Sequence, residues 1–442
     1  IVMSSTSCVK NSLAFTPTGD FYIRFLARLK RQVLVDSCNV ESSGTVSITS
    51  PYATADLGNI RANTESQSGD VIFVACKNYQ QRRIERSAAR SWSLVLYQSD
   101  DGPFRGDNIG PITLTPGALS GNTTLTASAS LFKSTQVGAL FRVTSQGQTV
   151  TGSITAQNTF TNAIRVTGVD NTRIFTITIT GLTGTGSTVT LQKSFDSDSG
   201  PWTDHTTYTA NYGPTTFDDG LDNQIVWYRI GVKTGDYAAG TIVPTLAYSG
   251  GSIDGIARIT AFTSSTLVDV EVLTEFGSLT ATDSWAEGQW SDYRGWPTSV
   301  GFYEGRLAWA GKDAVQLSVS DAFESFDDST EGDSGPINRS IGSGPVDVIN
   351  WILPLQRLLL GAQGSEISCR STNFDEPLTP SNFNLKPAST QGSSAVGAVK
   401  MDSKGVFVQR GGTRLFELSF SPETFDYTSV DLSQLVPEIG QP

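Results

Sequence analysis

A single histidine in 442 residues removes most hydrolytic and metal chemistry from consideration. A Ser-His-Asp triad, a His-Glu-x-x-His zinc helix and a Cys-His dyad each need an imidazole beside fixed partners. His205 instead sits in the polar stretch Trp202-Thr-Asp-His-Thr-Thr-Tyr208, which reads as an exposed strand. Cysteine is nearly as scarce: Cys8, Cys38, Cys76 and Cys369 lie far apart without Cys-x-x-Cys spacing, which excludes a zinc ribbon or a redox pair. Sparse, irregular cysteines predict free, mostly buried thiols in a protein assembled in a reducing cytoplasm. No apolar run reaches the roughly 18 residues of a membrane helix. The longest candidate, 351–360, contains Pro354, Gln356 and Arg357, so no membrane insertion is expected. No signal peptide is visible after the first residue, Ile1. Phosphate-cradling Gly-x-x-x-x-Gly-Lys and strand-helix Gly-x-Gly-x-x-Gly strings are missing as well, which argues against nucleotide chemistry. Lys and Arg number 31 against 43 Asp and Glu, a formal charge of -12, so clustered cations that would displace phosphate counterions are not expected.

What is abundant is turn chemistry. Gly at 43, Pro at 18, heavy Ser and Thr use and short alternating apolar segments predict an all-β chain. The length allows two to four domains. A first unit, 1–110, carries half-buried strand patterns in Phe21-Tyr-Ile-Arg-Phe-Leu-Ala-Arg-Leu29 and Gly69-Asp-Val-Ile-Phe-Val-Ala-Cys76, and ends at the turn Asp100-Asp101-Gly102-Pro103. Residues 111–185 read as an inserted β module. There Phe175, Ile177 and Ile179 share one face, with Arg173, Thr176 and Thr178 facing away. Residues 186–250 read as a second insert, a sandwich with immunoglobulin or fibronectin character around Val189-Thr-Leu-Gln-Lys-Ser-Phe195 and Ile225-Val-Trp-Tyr-Arg-Ile-Gly-Val-Lys233. From 251 to 442 aromatic residues and loops increase, and short strand pairs ending in Gly suggest a propeller-like body.

Chemistry is sought first among carboxylates. Asp218, Asp219 and Asp222, or Asp327, Asp328 and Glu331, have the density that paired-carboxylate glycosidases require. Both groups also sit in Gly- and Ser-rich turns, where Asp side chains satisfy turn amides, and this second reading is the heavier. Asp196-x-Asp198-x-Gly200 has the spacing of the front of a calcium loop but lacks its bidentate Glu. No catalytic, cofactor-binding or metal-ligating residue is therefore assigned. Arg82, Arg83, Arg86 and Arg90 read as a solvated strand edge or, less favoured, a subunit-contact stripe.

One string combines a generic hairpin pattern with specific residues. In Trp290-Ser-Asp-Tyr-Arg-Gly-Trp296-Pro297-Thr-Ser-Val-Gly-Phe-Tyr-Glu-Gly305-Arg306-Leu307-Ala-Trp309-Ala-Gly311, Pro297 starts a strand and Glu304-Gly305 supplies a turn into a second one. It resembles the tail nozzle (tail tubular protein B-like, stabilisation) proteins of short-tailed bacteriophages. The stretch 67–92, with Tyr79, Arg82, Arg83, Arg90 and Trp92, is similar to the same family. So, in order, are Asn350-Trp-Ile-Leu-Pro-Leu-Gln-Arg-Leu-Leu-Leu-Gly361, Leu378-Thr-Pro-Ser-Asn382, Gln391-Gly392-Ser393 and Val406-Phe-Val-Gln-Arg-Gly-Gly412. The match runs over roughly 250–435. The resemblance implies a virion structural protein assembled in the host bacterial cytoplasm. It implies a propeller-like body and a homohexameric ring below a tail adaptor ring, contacted by fibre or spike proteins. Genomic DNA would pass through without specific binding, which the acidic balance suits because a conduit should not grip DNA. Family chains continue well past the segment matching Asp431-Leu-Ser-Gln434, so the body is expected to be incomplete at the C-terminus. The alternative is a carbohydrate-binding adhesin or a tail-associated glycan hydrolase, motivated by the supply of Trp and Tyr, although a propeller core consumes large aromatics too.

Overall fold

The computed structural model describes residues 47–62, 67–222, 224–330, 332–341, 348–373, 376–423 and 425–435. The strand expected at 21–29, together with Cys8, Cys38 and Glu331, lies outside them. The described residues are 51% strand and 3% helical, in several antiparallel sheets, none of which closes into a barrel among them. Among the described residues no helix is long and apolar enough to cross a membrane. Residues 1–47 with 86–92 form one compact unit, and 48–85 with 93–442 the other. Of the first, 86–92 is a hairpin tip in which the Arg86 guanidinium lies 5.9 Å from the Trp92 ring centre. Apart from that tip, the sheets below belong to the second unit.

Three four-stranded meanders follow one another in the C-terminal half. The first comprises Ser299–Tyr303, Arg306–Gly311, Ala314–Leu317 and Ile337–Ser340; the second, Ile349–Pro354, Leu358–Ala362, Glu366–Arg370 and Asn384–Ser389. The third comprises Val399–Met401, Lys404–Val408, Leu415–Ser421 and Asp426–Asp431. Strands sandwiched on both faces bury successive residues, which is why they read as continuous apolar runs instead of alternating ones. In Arg306–Gly311, Leu307 and Trp309 enter a core shared with Phe73, Ala75 and Tyr97 of an N-terminal sheet, while Ala308 and Ala310 enter a core shared with Ile349, Leu358 and Leu360. The next strand pair repeats this: Leu358 and Leu360 face back, and Leu359 faces forward with Trp351 and Leu353 onto Phe407, Phe416 and Leu418. The run 351–360 is thus two strands joined at Gln356 and Arg357.

The N-terminal sheet has the strand order Ile60–Arg61, Val71–Cys76, Tyr79–Ala88, Ser91–Leu96, with Gln67–Ser68 beside the second of these. The arginine-rich strand is interior to it, so the expected polar edge is corrected. Arg83 is held by Glu85 and Glu324 instead of facing open water. Arg61 at the sheet's end donates to the Ala395 carbonyl ahead of the third meander. The first sheet of the series thereby reaches the last.

Between these sheets, residues 114–285 build an eight-stranded sheet around two long strands, Leu140–Thr151 and Val243–Ser264. They pair over two stretches, Thr245 to Tyr248 with Thr151 to Gln148 and Ser252 to Arg258 with Gln146 to Leu140, interrupted by a register shift. Gly250 and Gly251 occupy the shift, and neither has room for a side chain. On one side of it Phe141, Val143, Ala257 and Ile259 join a core with Leu125, Val268 and Trp285. On the other, Leu246 and Tyr248 join one with Phe175, Ile177, Ile179, Leu191 and Ile230. That second core lies between strands of the large sheet and a separate sheet of Thr159–Phe160, Ile164–Val166, Val189–Ser194, Thr203–Tyr208 and Val226–Val232. The expected boundary at 185/186 falls inside this shared core. Phe175, Ile177 and Ile179 share a buried face as anticipated, but Arg173 does not face away. It ends a short 3-10 turn, Asp170–Arg173, and is fully buried.

Candidate functional site

Several residues of the specific strings occupy the joints between successive sheets. Thr298 donates from its backbone to Ala310 O (2.8 Å) and from its hydroxyl to Ile349 O (2.6 Å), tying the first meander to the second. Glu304 and Gly305 both adopt left-handed φ, 48° and 71°, the geometry of a tight two-residue hairpin turn. The Glu304 carboxylate then accepts the Leu378 amide at 2.7 Å, so the Glu-Gly-Arg-Leu and Leu-Thr-Pro strings meet in space. Arg306 is 1% exposed and, among the described residues, forms no ion pair with a carboxylate. Its guanidinium donates to the carbonyls of Ser318 (2.7 Å), Gly335 (2.5 Å), Ser334 (3.3 Å) and Asp333, pinning the acidic loop that ends at 335. Burial pulls its pKa below the usual arginine value.

The Gln-Gly-Ser string is a second latch. The Ser393 hydroxyl donates to Glu366 at 2.8 Å, Ser389 donates to the other carboxylate oxygen, and Asn350 donates to the Ser393 carbonyl at 2.9 Å. Burial pushes the Glu366 carboxyl up despite these donors. Asp426, which no sequence pattern singled out, gathers Arg370 at 3.3 Å and Arg357 and Lys386 at 3.7 Å, joining the third meander to the second.

The carboxylate clusters are dispersed into structural roles. Asp219 is bound two-pronged by buried Arg173 (2.9 and 2.7 Å) and accepts the Tyr228 hydroxyl at 3.0 Å. Burial raises the Asp219 pKa, but donation from Arg173, Leu221 N and Tyr228 outweighs it and leaves the carboxyl below its usual range. Asp218 caps Gly220 N, and Asp222 accepts Asp170 N. Asp327 accepts Ser329 N, and Asp328 pairs with Arg142. Asp198 accepts the neighbouring Ser199 hydroxyl. Among the described residues no group of three His, Cys, Asp or Glu side chains is placed to hold a metal. His205 is exposed, its Nδ1 is 2.8 Å from Thr206 Oγ1, and partial burial against Phe217 lowers its pKa. Cys76 and Cys369 are buried free thiols. The tryptophans at 285, 309 and 351 are core residues, Trp309 lying 5.0 Å from the Tyr97 ring and 6.3 Å from Trp290.

A concave feature lies where four sheets converge. A cleft of about 580 Å³ is lined by Gln67 and Ser68 of the N-terminal sheet, Phe302 to Glu304 of the first meander, Pro354 and Leu355 of the second, and Lys400 of the third. Through Ser68 and Phe323 it adjoins a cleft of about 510 Å³ bordered by Asp100, Asp101 and Glu324. Those acids are engaged: Asp101 by Ser325 and Phe326 N, Asp100 by Arg258, and Glu324 by Arg83. The clefts offer shape and one exposed cation, without a nucleophile and base in reach of each other. Comparison with protein-family models and with curated proteins finds no match to this chain.

Proposed function

We propose that the chain is a virion structural protein, a subunit of the nozzle ring at the end of a short bacteriophage tail. The carrying observation is that members of the strings resembling that family, Thr298 in 290–311, Glu304 with Leu378 of 378–382, and Asn350 of 350–361 with Ser393 of 391–393, make the hydrogen bonds that tie one four-stranded sheet to the next. In this reading the N-terminal sheet and the three meanders are blades of a propeller-like body. The first strands of the three meanders and Gln67–Ser68 of the N-terminal sheet line the cleft that ends at Lys400, and Arg61 reaching Ala395 brings first and last together. The two-sheet body between 150 and 250 is an immunoglobulin-like decoration carried outside the ring, where fibre or spike proteins dock.

Six copies carry six times the formal charge of -12. Acidic groups along a lumen repel phosphate over about a Debye length, so DNA slides without being held. The chain is then no enzyme and needs no cofactor, and its partners are further copies of itself, an adaptor ring and fibres. Negative-stain images and a native mass of the purified chain test this, beside images of intact virions. A sixfold ring matching the tail tip supports the nozzle. A persistent monomer that binds or cleaves host polysaccharide replaces it with the adhesin or hydrolase reading, against which stand the buried tryptophans and the engaged carboxylates.

A further inference from the structure

The outward face of the sheet containing Val189–Ser194, Thr203–Tyr208 and Val226–Val232 carries an arrangement that none of the foregoing uses. Arg229 projects from Val226–Val232, beside the central strand Val189–Ser194 of this group, and its guanidinium carbon lies 4.2 Å from the ring centres of both Phe160 and Trp202. Two aromatic plates hold one cation between them. The Nε–H is fixed by donation to Gln192 Oε1 at 2.9 Å, and Gln192 donates in turn to Asp204 Oδ1 at 2.8 Å. Lys233 closes the row on Asp204 Oδ2 at 2.6 Å. The row follows the sheet register, since Gln192 is the cross-strand partner of both Asp204 and Arg229.

What the row leaves over is the working end of the arginine. Among the described residues neither Nη group of Arg229 has a hydrogen-bond acceptor, although its side chain is immobilised on three sides. Three other arginines withdrawn from solvent spend those groups: Arg173 on Asp219 and Gln224 O, Arg306 on backbone carbonyls, Arg142 on Asp107 and Asp328. A planar fork held in advance, with its rotamer entropy already lost, is a two-pronged receptor for a carboxylate. Partial burial lowers the Arg229 pKa, the signature of a cation short of counter-charge.

The geometry points to a binding site for an acidic saccharide on this face, with the uronate carboxylate on the Arg229 fork. The surroundings favour a sugar over an acidic peptide. Phe160 and Trp202 flank the fork with aromatic rims, and Trp227, two residues along the same strand, adds a half-buried indole to the same face. Aromatic surface beside a charged anchor suits the C–H faces of a pyranose. Asp204, two strand spacings or about 10 Å from Arg229, keeps spare acceptor lone pairs for hydroxyls, and donation from Lys233 and then Gln192 holds its carboxyl below the usual range and therefore charged. That span fits two sugar rings. A run of acidic side chains would instead meet Asp204 and a chain of formal charge -12.

The inference does not rest on the nozzle reading: a monomer and a ring would both display this face. The test is ligand-observed NMR and tryptophan fluorescence titration of the full chain with D-glucuronate, D-glucose, acetate and a short oligo-glutamate. A ligand of this size in a favourable site reaches a Kd of about 1 mM. Glucuronate is expected to saturate, acetate to bind roughly tenfold more weakly, and glucose not to bind. Arg229→Lys keeps the charge but loses the fork and is expected to weaken glucuronate at least tenfold with an unchanged melting curve. Trp202→Leu, which leaves the fork but removes one plate, is a second route should the first variant misfold, with a severalfold loss expected. Equal binding of acetate and glucuronate, tighter binding of oligo-glutamate, or glucuronate binding untouched by both variants would each overturn the assignment.

Discussion

Arg306 offers the sharpest test of how the body is held together. Replacing it with Met keeps the length of the side chain and removes every guanidinium donor, so the carbonyls of Ser318, Ser334, Gly335 and Asp333 lose a shared partner. A hydrogen bond to a charged donor contributes about 1.5–3 kcal/mol, and two of these, to Ser318 and Gly335, lie wholly inside. Against that stands the desolvation of a guanidinium with no carboxylate beside it, which Met relieves and which costs several kcal/mol. Taking all four bonds at the lower figure, about 6 kcal/mol, against about 3 kcal/mol for the relieved desolvation, the net loss is about 3 kcal/mol for Met, more for Ala, which adds a cavity. By the rule of tenfold per about 1.4 kcal/mol, the open population around 307, 318 and 333–335 rises slightly more than a hundredfold. Amide hydrogen exchange reads this directly, because the Leu307 N–H is bonded to Ser318 Oγ and the Ser318 N–H to Leu307 O. Arg306→Lys should recover part of the protection, as an ammonium reaches fewer of the four carbonyls at once. Exchange in Arg306→Met indistinguishable from the parent would refute the view that this residue clamps the loop.

Three further outcomes follow from the same geometry. Glu366 has its folded pKa raised by burial, so its contribution is fullest below the unfolded carboxylate pKa and is lost as pH rises through the folded value. Glu366→Gln should flatten that slope in urea melts taken from pH 4 to pH 8, and an unchanged slope would count against it. Gly361 lies directly against the Trp351 indole, so Gly361→Ala forces the ring off its seat between two sheets and should destabilise by about 1–3 kcal/mol, with a shift in tryptophan emission. Finally, Gln146 and Ser252 are paired residues on the two long strands. Excising 147–251 and closing the gap with Asn-Gly should give an ordinary hairpin with the remaining sheets and any ring intact; aggregation of that deletion would show that the excised body is part of the scaffold.

Much of the strand architecture was readable, for a simple reason: turn residues act locally. Glu304-Gly305 specified its turn, and Phe175, Ile177 and Ile179 their face. What sequence could not reveal depended on partners far along the chain. Arg173 looked like an outward residue of an alternating strand because period-2 counting assigns a face without knowing that Asp219 waits 46 residues later. The arginine-rich strand looked like an edge because cations usually protect edges, whereas Glu324 answers Arg83 from the loop between the third and fourth strands of the first meander. The carboxylate clusters dissolved for the same cause, each Asp finding an amide or a cation that spacing alone does not display. Arg306 was visible within a specific string, yet its work lies in four carbonyls and could not be deduced from a pattern of side chains.

The core in which Phe73, Ala75 and Tyr97 meet Val300, Leu307 and Trp309 also sets a timetable. Its two halves are separated by some two hundred residues, which a ribosome adding about 5–20 residues per second delivers over roughly 10–40 s. For that interval the N-terminal apolar face has no mate, while the stretch between supplies its own cores from near neighbours and can condense as it emerges. Birth order and assembly order therefore differ: the central body sets first, and the flanking sheets close around it only after the chain has passed Phe326. A nascent chain halted before that point should engage chaperones, and one halted beyond Tyr427, with the last inter-sheet core complete, should release them.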